Sequence, residues 1–215
     1  MTDKLFEMIK EKYAISELDM GEFSSLKASG MKFSVSAYRA EGLGHVSMMR
    51  AKGFFGLMRM DTLMIVPDDI DLPLYSYDRI YAMGNDTLIV ELYDTLVGEL
   101  DLSALEAVKE KFSSLPERDP GEHWYDSIKL PESISKKGKK AQTGELSALA
   151  TEHFRAYLTS AAPIVSDKAE KRRLSSRYVE GLLSNGGPST DVFKRELGDE
   201  KTNRLFGKVL FGTEL

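Results

Sequence analysis

The sequence contains no cysteine, and this absence excludes several classes of protein at once. Disulfides, thiolate metal sites, iron–sulfur clusters held by the chain and thiol nucleophiles all require cysteine, so a secreted disulfide scaffold is excluded. Histidine is nearly as scarce, with only His45, His123 and His153 along the chain. These three residues are too scattered for a metal-ligand spacing, so we expect no bound metal.

Long apolar runs and an excess of basic residues are also missing. No uninterrupted apolar run approaches the ~20 residues that span a bilayer. Residues 1–13 mix apolar and charged side chains, unlike a secretory signal. The formal net charge is −5, which argues against a nucleic-acid partner. We therefore expect a soluble cytoplasmic protein with neither a membrane nor a nucleic-acid partner.

Generic catalytic motifs are absent as well. The sequence has no P-loop, no G-x-G-x-x-G after a strand, no H-E-x-x-H and no G-x-S-x-G. A chain of this size can still bury about 70% of its unfolded surface, so a full core is possible without disulfides. Local patterns alone thus indicate a folded domain with a ligand pocket, but they do not indicate a reaction.

The first half of the chain has the period of β-strands, with apolar residues at every second position. Short glycine-containing turns separate the segments. Connections this short join antiparallel neighbours, because a parallel crossover needs about a dozen residues. This pattern excludes a doubly wound nucleotide-binding fold. The predicted strands are Met31–Ala40, His45–Lys52, Leu57–Val66, Tyr77–Met83 and Thr87–Tyr93.

The second half has the period of amphipathic helices, and residues 1–13 form one more. Ser103 and Glu106 have the spacing of a capping box. The polar segment 116–143, which includes the basic run 136–140, is predicted to be a long loop. The remaining helices are predicted around residues 146–157, over 167–184, and as two short helices joined at Gly198.

Together these patterns predict one α+β domain over residues 1–215. Its strands lie at about 23–93, and its covering helices lie mainly within 101–215. We expect an α/β/α sandwich, in which a central and mainly antiparallel sheet is flanked by helices.

Two stretches of the sequence resemble the ferredoxin-dependent bilin reductases. The first is the strand end Met64-Ile65-Val66-Pro67 followed by Asp71-Leu72-Pro73-Leu74-Tyr75-Ser76-Tyr77-Asp78, similar to the family's strand, proline, "DLP", aromatic residue and aspartate. The second runs from Arg172 through Arg177-Tyr178 and residues 193–200 to Val209-Leu210-Phe211, similar to the family's basic helix, short helix and terminal "VLF". Both stretches occur in the family's order and bracket most of the chain.

This resemblance implies a linear tetrapyrrole lying between the sheet and the C-terminal helices. It implies that an external reduced ferredoxin delivers electrons one at a time, with no bound flavin, nicotinamide or metal. Side chains and water would then supply protons to a bilin radical.

The resemblance also implies roles for individual residues. Asp78 matches the family's proton-donating aspartate, and His45 matches a histidine on an earlier strand, so we expect Asp78 to lie within reach of His45 or of a bridging water. Strand alternation places Met60, Thr62 and Met64 on the face that would carry the pigment. Without the resemblance, Asp78 reads as a turn cap, His45 as an edge residue and the methionines as plain core.

Three positions depart from the family's pattern. Ser47 stands where some members carry a glutamate, and Thr62 stands where one branch has a histidine. The segment around Gly187 falls where a helix aspartate is found, and its first carboxylate is Asp191. Ser47 is retained with the three residues of the pigment face as a substrate contact.

These departures leave two functions of different class open. One is ferredoxin-dependent reduction of a biliverdin-like bilin, and the other is a non-catalytic binding protein for a tetrapyrrole or another planar hydrophobic ligand. A third option is a reductase for a different open-chain pigment, as in the related chlorophyll-breakdown branch. The lysine run 136–140 is open to two interpretations, a solvated loop or a docking site for an acidic ferredoxin.

Overall fold

In the part of the chain that the structure describes, eight strands form one sheet in which all neighbouring pairs are antiparallel. The computed structural model describes residues 1–213, so residues 214 and 215 of the predicted domain lie outside the described residues. The strands are β1 (Ile15–Glu17), β2 (Ser25–Ala28), β3 (Met31–Ala40), β4 (Gly44–Gly53), β5 (Met58–Pro67), β6 (Leu74–Ala82), β7 (Asn85–Tyr93) and β8 (Ile134–Lys139).

The strand order is β1-β3-β4-β5-β6-β7-β8, with β2 also paired to β3. From β3 to β7, each strand lies beside the next one in the chain. Between β6 and β7 the turn is Met83-Gly84, with φ values of 50° and 74°. Two successive positive φ angles match the turn whose twist suits a two-residue hairpin. The predicted antiparallel sheet is confirmed, and the five predicted strands overlap β3 to β7.

Helices cover both faces of this sheet. They are α1 (Thr2–Lys10), α2 (Ser103–Lys111), α3 (Thr143–Thr159), α4 (Lys168–Asn185), α5 (Pro188–Leu197) and α6 (Asp199–Arg204), and a π-helical turn (Leu205–Leu210) continues from α6. On one face, α1, α2 and α3 pack over a core that includes Leu63 and Tyr77. On the other, α4, α5 and the segment after α6 pack over a second core that includes Met49 and Phe193. The predicted α/β/α sandwich is therefore confirmed.

No helix within residues 1–213 is both long and apolar enough to cross a membrane.

The predicted loop 116–143 contains a strand, so that prediction is wrong for residues 134–139. The backbone of β8 pairs with β7 along six positions and completes that edge of the sheet. Lys136 is buried, and its Nζ donates to the carbonyl of Leu115 at 3.1 Å and to the carboxylate of Glu117. Residues 136–139 of the lysine run are thus part of a paired strand with one internal lysine, and the interpretation of these residues as a loop is wrong. Lys137, Lys139 and Lys140 are exposed, and docking of an acidic partner there stays a prediction.

The capping box predicted at Ser103 and Glu106 does not form. The backbone N–H of Ser103 donates instead to the Asp101 carboxylate at 2.9 Å, and the Glu106 carboxylate accepts a hydrogen bond from Lys109 Nζ. An aspartate just before the helix supplies the same kind of acceptor as a capping serine, so α2 still begins at the predicted place.

Helix α4 is tied to the sheet by a buried ion pair. Lys171 is fully buried, and its Nζ donates to Asp71 Oδ1 at 2.8 Å and to the carbonyls of Leu72 and Thr95 at 2.6 and 2.8 Å. The Asp71 carboxylate also accepts hydrogen bonds from two backbone N–H groups of the loop after β7. This cluster holds α4 against the turn between β5 and β6.

Candidate functional site

A cavity of about 430 Å³ lies between the sheet and the helices from α4 onward. Small-molecule sites commonly have volumes of ~300–1,000 Å³. The predicted pocket lay between the sheet face that carries Thr62 and the helices after Asp167, and the cavity is at that place. Met60, Thr62 and Met64 all line it, as strand alternation predicted. Their part in ligand binding stays a prediction.

Two rows of cross-strand neighbours form the polar part of the cavity floor. In one row Thr62 stands opposite Asp78, and in the next Met64 stands opposite Ser76, which itself stands opposite Glu91. Because side chains alternate along a strand, residues two apart share a face. The floor therefore presents two carboxylates, those of Asp78 and Glu91, to one cavity.

Aromatic side chains close the cavity opposite the floor and at one side. Tyr178 of α4 lies against Tyr93 of β7, with ring centroids 4.1 Å apart. The segment before β8 adds Arg118, His123 and Tyr125 to the wall. The site thus combines flat apolar surfaces with a few polar groups, as small-molecule sites commonly do. Other aromatic residues of the lining are Phe33, Phe193, Phe206 and Phe211.

Asp78 is a half-buried carboxyl group on the cavity floor. It points to the cavity, and Thr62 Oγ1 donates a hydrogen bond to its Oδ1 at 2.5 Å. Burial raises the pKa of Asp78 to about 6; the hydrogen bond from Thr62 opposes this shift, and the nearby charge of Glu91 adds to it. At pH 7 a carboxyl group with such a pKa holds a proton in about one molecule in ten, whereas an ordinary aspartate is almost fully ionised. The side chain faces the cavity and does not cap its own turn.

Replacing Asp78 with asparagine is expected to raise thermal stability at pH 7.5 and to change it little at pH 4. The pKa of this group is raised from 3.8 to about 6 on folding. The folded state therefore binds more protons than the unfolded state between these values, and its stability falls as the pH rises through that window. Asparagine does not ionise and avoids this loss. Melting temperatures of both proteins at the two pH values test the prediction; an equal difference at both would contradict it.

His45 and Ser47 lie on the sheet face of the cavity but beneath the C-terminal segment. His45 Nε2 hydrogen-bonds to the carbonyl of Val209 at 2.8 Å, and Ser47 Oγ donates to the carbonyl of Leu210 at 2.7 Å. Burial lowers the pKa of His45. Gly212 packs so closely that a Cβ there would lie 2.5 Å from the His45 ring. Neither His45 nor Ser47 lines the cavity.

The expected proximity of Asp78 and His45 is wrong. His45 stands in register with Val66, whereas Asp78 stands in register with Thr62 and lies one strand further on. Four residues at about 3.3 Å and two strand spacings of about 4.8 Å place the two Cα atoms roughly 16 Å apart. Asp78 therefore lies at the cavity without His45 beside it.

Several lining residues were missed from the sequence. Strand alternation could have identified Glu91 as a lining residue, since it lies two residues before Tyr93 in a predicted strand. Arg118, His123 and Tyr125 carried no signal, because they belong to a segment without period that was read as a loop.

The position of the expected helix aspartate holds no carboxylate. Gly187 and Thr190 line the cavity there. Asp191 Oδ1 instead accepts from the backbone N–H of Gly187 at 3.4 Å, at the start of α5. Among the described residues, no group of three or more His, Cys, Asp or Glu side chains is placed to hold a metal ion.

Comparisons with known proteins find this fold but no related sequence. No protein-family model and no curated protein matches the chain. The solved structures include a match to phytochromobilin synthase from tomato, crystallised as the selenomethionine protein in complex with biliverdin. The TM-score is 0.75 at 15% sequence identity, over 99% of this chain and 83% of that one. The chain is therefore similar in fold to that protein over nearly its whole length, and the fold implied by the sequence resemblance is confirmed.

Proposed function

We propose that this protein reduces a linear tetrapyrrole, a biliverdin-like bilin, in one-electron steps with protons supplied by side chains. The observation that carries the proposal is the carboxyl group of Asp78, which has a raised pKa and faces a largely apolar cavity between the sheet and the C-terminal helices. The fold is similar to that of a protein solved with biliverdin, which supports the choice of ligand.

The cavity has the chemistry that a linear tetrapyrrole requires. Methionine and aromatic side chains offer flat, polarisable surfaces to a conjugated pigment. A bilin also carries carboxylate side chains, and Arg118 is a cation in the cavity wall. Its Nη1 donates to Ser135 Oγ at 3.3 Å, and no acidic side chain of the described residues forms an ion pair with it. Arg118 is thus available to bind a pigment carboxylate.

Proton transfer from Asp78 suits the electronic change in the pigment. A bilin radical formed by one-electron transfer is more basic than its parent, so a carboxyl group with a pKa of about 6 can protonate it near neutral pH. Thr62 orients this carboxyl group through its hydroxyl. Asp78 is the proposed catalytic acid. His45, sealed beneath the C-terminal segment, is proposed to stabilise that segment, which forms part of the roof.

The proposed electron donor is an external acidic redox protein of the ferredoxin class. Lys27, Lys32, Lys52 and Arg59 are cross-strand neighbours in one row on β2 to β5, all exposed, on the face opposite the cavity. None of the ion pairs in the described residues involves them. Like charges directly opposite each other destabilise a sheet, so the row favours an anionic partner.

This basic row lies close to one end of the cavity. It is one residue along the strands from the row that contains Met31 and Met58, and both of these methionines line the cavity. The adjoining turn presents Phe55, which is wholly exposed and has a φ of 55°. A donor bound there would place its redox centre near the pigment.

Three positions favour a second function, that of a non-catalytic binding protein. Thr62 stands where one branch of the family has a histidine, and Ser47 stands where some members have a glutamate. The segment around Gly187 lacks the helix aspartate of the family's pattern. A protein that kept the cavity and lost turnover would bind a tetrapyrrole or another planar hydrophobic ligand without reducing it.

Adding biliverdin to the pure protein is expected to give a structured, red-shifted absorption band. Enclosure between apolar surfaces restricts the pigment's conformations and changes its conjugation, which the visible spectrum reports. A reduced ferredoxin system should then convert this band to that of a reduced bilin. A band that does not change on reduction favours the binding protein, and the absence of any band contradicts both functions. Free biliverdin with the same reducing system is the control.

A further inference from the structure

We infer that Glu91 is the second proton-handling carboxylate of this site and that it supplies the proton for the second reduction step. This inference rests on the proposed function. It assigns a role in catalysis to β7, the strand next to the one that carries Asp78.

The register of the sheet brings Glu91 to the same cavity as Asp78. Glu91 stands opposite Ser76, and Asp78 lies two residues further along β6 on the same face. Such diagonal neighbours have Cα atoms about 7–8 Å apart, which places two carboxyl groups along one bound pigment. Both side chains line the cavity. They are close enough to serve one bound ligand.

Tyr93 holds Glu91 in place. The Tyr93 hydroxyl donates to Glu91 Oε2 at 2.6 Å, and the Tyr93 ring packs against Tyr178 and Tyr125. Among the described residues, Oε1 of Glu91 has no hydrogen-bond donor, so it is available to carry a proton. A carboxylate oriented by a buried tyrosine and left with one open oxygen has the geometry of a proton carrier.

The charges of the two carboxylates are coupled. Burial is the largest cause of the raised pKa of Asp78, and the charge of Glu91 adds to it. The other titratable or charged groups of the lining are Tyr93, Arg118, His123, Tyr125 and Tyr178. Arg118 and His123 belong to the side wall, and the tyrosines are neutral at physiological pH. Glu91 is thus the acidic neighbour of Asp78 in this cavity.

The two carboxylates give a balanced reaction. The first electron from a reduced iron–sulfur protein and the proton of Asp78 convert the bilin to a neutral radical. Glu91 takes up a proton from solvent after the first step and passes it on with the second electron, so that one double bond is lost and two bonds to hydrogen form. Two donor molecules are each oxidised by one electron. Asp78 regains its proton from solvent, and Glu91 ends as the carboxylate that it was before the first step.

Replacing Glu91 with glutamine tests this assignment. Glutamine keeps the shape and still accepts from Tyr93, but it cannot deliver a proton. With bound biliverdin and reduced ferredoxin, E91Q is expected to form the pigment radical at the parent's rate and to complete reduction about 10²-fold more slowly. Electron paramagnetic resonance and absorption spectra would show an accumulated radical. Asp61→Asn is the matched control, since Asp61 lies on β5 facing away from the cavity, and it should behave as the parent.

A measurement without pigment separates this inference from the proposed function. In the free protein, E91Q should lower the pKa of Asp78, measured by NMR titration of its carboxyl carbon, because a like charge is removed. Parent-like reduction by E91Q without an accumulated radical overturns the inference, even if the parent is an active reductase. An unchanged pKa of Asp78 in E91Q also counts against it. Failure of the parent itself to reduce biliverdin overturns the proposed function, and the inference falls with it.

Discussion

Asp78→Asn is expected to bind biliverdin as the parent does and to reduce it about 10²–10⁴-fold more slowly. Asparagine preserves the shape of the side chain and can still accept a hydrogen bond from Thr62, so the cavity is retained. The carboxyl proton proposed for the first step is lost. Single-turnover absorption changes with excess reduced ferredoxin measure the rate, and a titration with pigment measures binding.

The reaction catalysed by D78N should stop at an earlier stage than the reaction catalysed by E91Q. Without the first proton the radical is not trapped, so D78N is expected to show slow pigment bleaching and little accumulated neutral radical. Asp61→Asn again serves as the control, because it removes a carboxylate from the neighbouring strand on the opposite face. Parent-like turnover of D78N would remove Asp78 from the mechanism.

Lys171→Met is expected to lower the free energy of unfolding by about 3–5 kcal/mol. Methionine matches the length of the lysine side chain but leaves the buried carboxylate of Asp71 without its cation. It also leaves the carbonyls of Leu72 and Thr95 without their donor. Urea-induced unfolding followed by circular dichroism measures the loss. Because α4 carries Tyr178 and Leu182 over the cavity, pigment affinity should fall as well.

Lys168→Met is the matched control for this effect. Lys168 lies three residues earlier on the same helix and pairs with Asp69 at 2.8 Å, but its side chain is 53% exposed. Exposed ion pairs contribute about 0–1 kcal/mol, so this variant should lose little stability. If both variants lost equally little, the buried pair would not be what holds α4 on the sheet.

Periodic segments of the sequence predicted most of the sheet. Strands β3 to β7 alternate apolar and polar residues between short turns, so each strand is recognisable by itself and pairs with its neighbour in sequence. The same alternation placed Met60, Thr62 and Met64 on the cavity side. These predictions succeeded because they depend on local pattern alone.

The same reasoning missed β8, because this strand forms through pairing with a segment distant in sequence. β8 contains a glycine and four polar residues among its six, so its sequence carries no strand signal. It becomes a strand because the free edge of β7 offers hydrogen bonds and because buried Lys136 pairs with the carbonyl of Leu115 and with the exposed carboxylate of Glu117. Tertiary context of this kind overrides local propensity.

The site was predicted in part for a related reason. Asp78 was found by its place after the proline-containing turn, and it does face the cavity. His45 matched the same family pattern, but its contacts depend on the C-terminal segment, which no local pattern positions. Glu91 sits in a recognisable strand, but no known motif singled it out. Its importance comes from its distance to Asp78, which only the sheet register defines.

The consecutive order of β3 to β7 also affects how the chain folds during its synthesis. Neighbouring hairpins can form in turn as the polypeptide leaves the ribosome, because each strand pairs with the one just synthesised. The Met-rich floor is covered only when α4 and the helices after it emerge. Until then the nascent sheet exposes an apolar surface of the kind that chaperones bind and that leads to aggregation. A chain interrupted before Lys168 would therefore release a sheet prone to self-association.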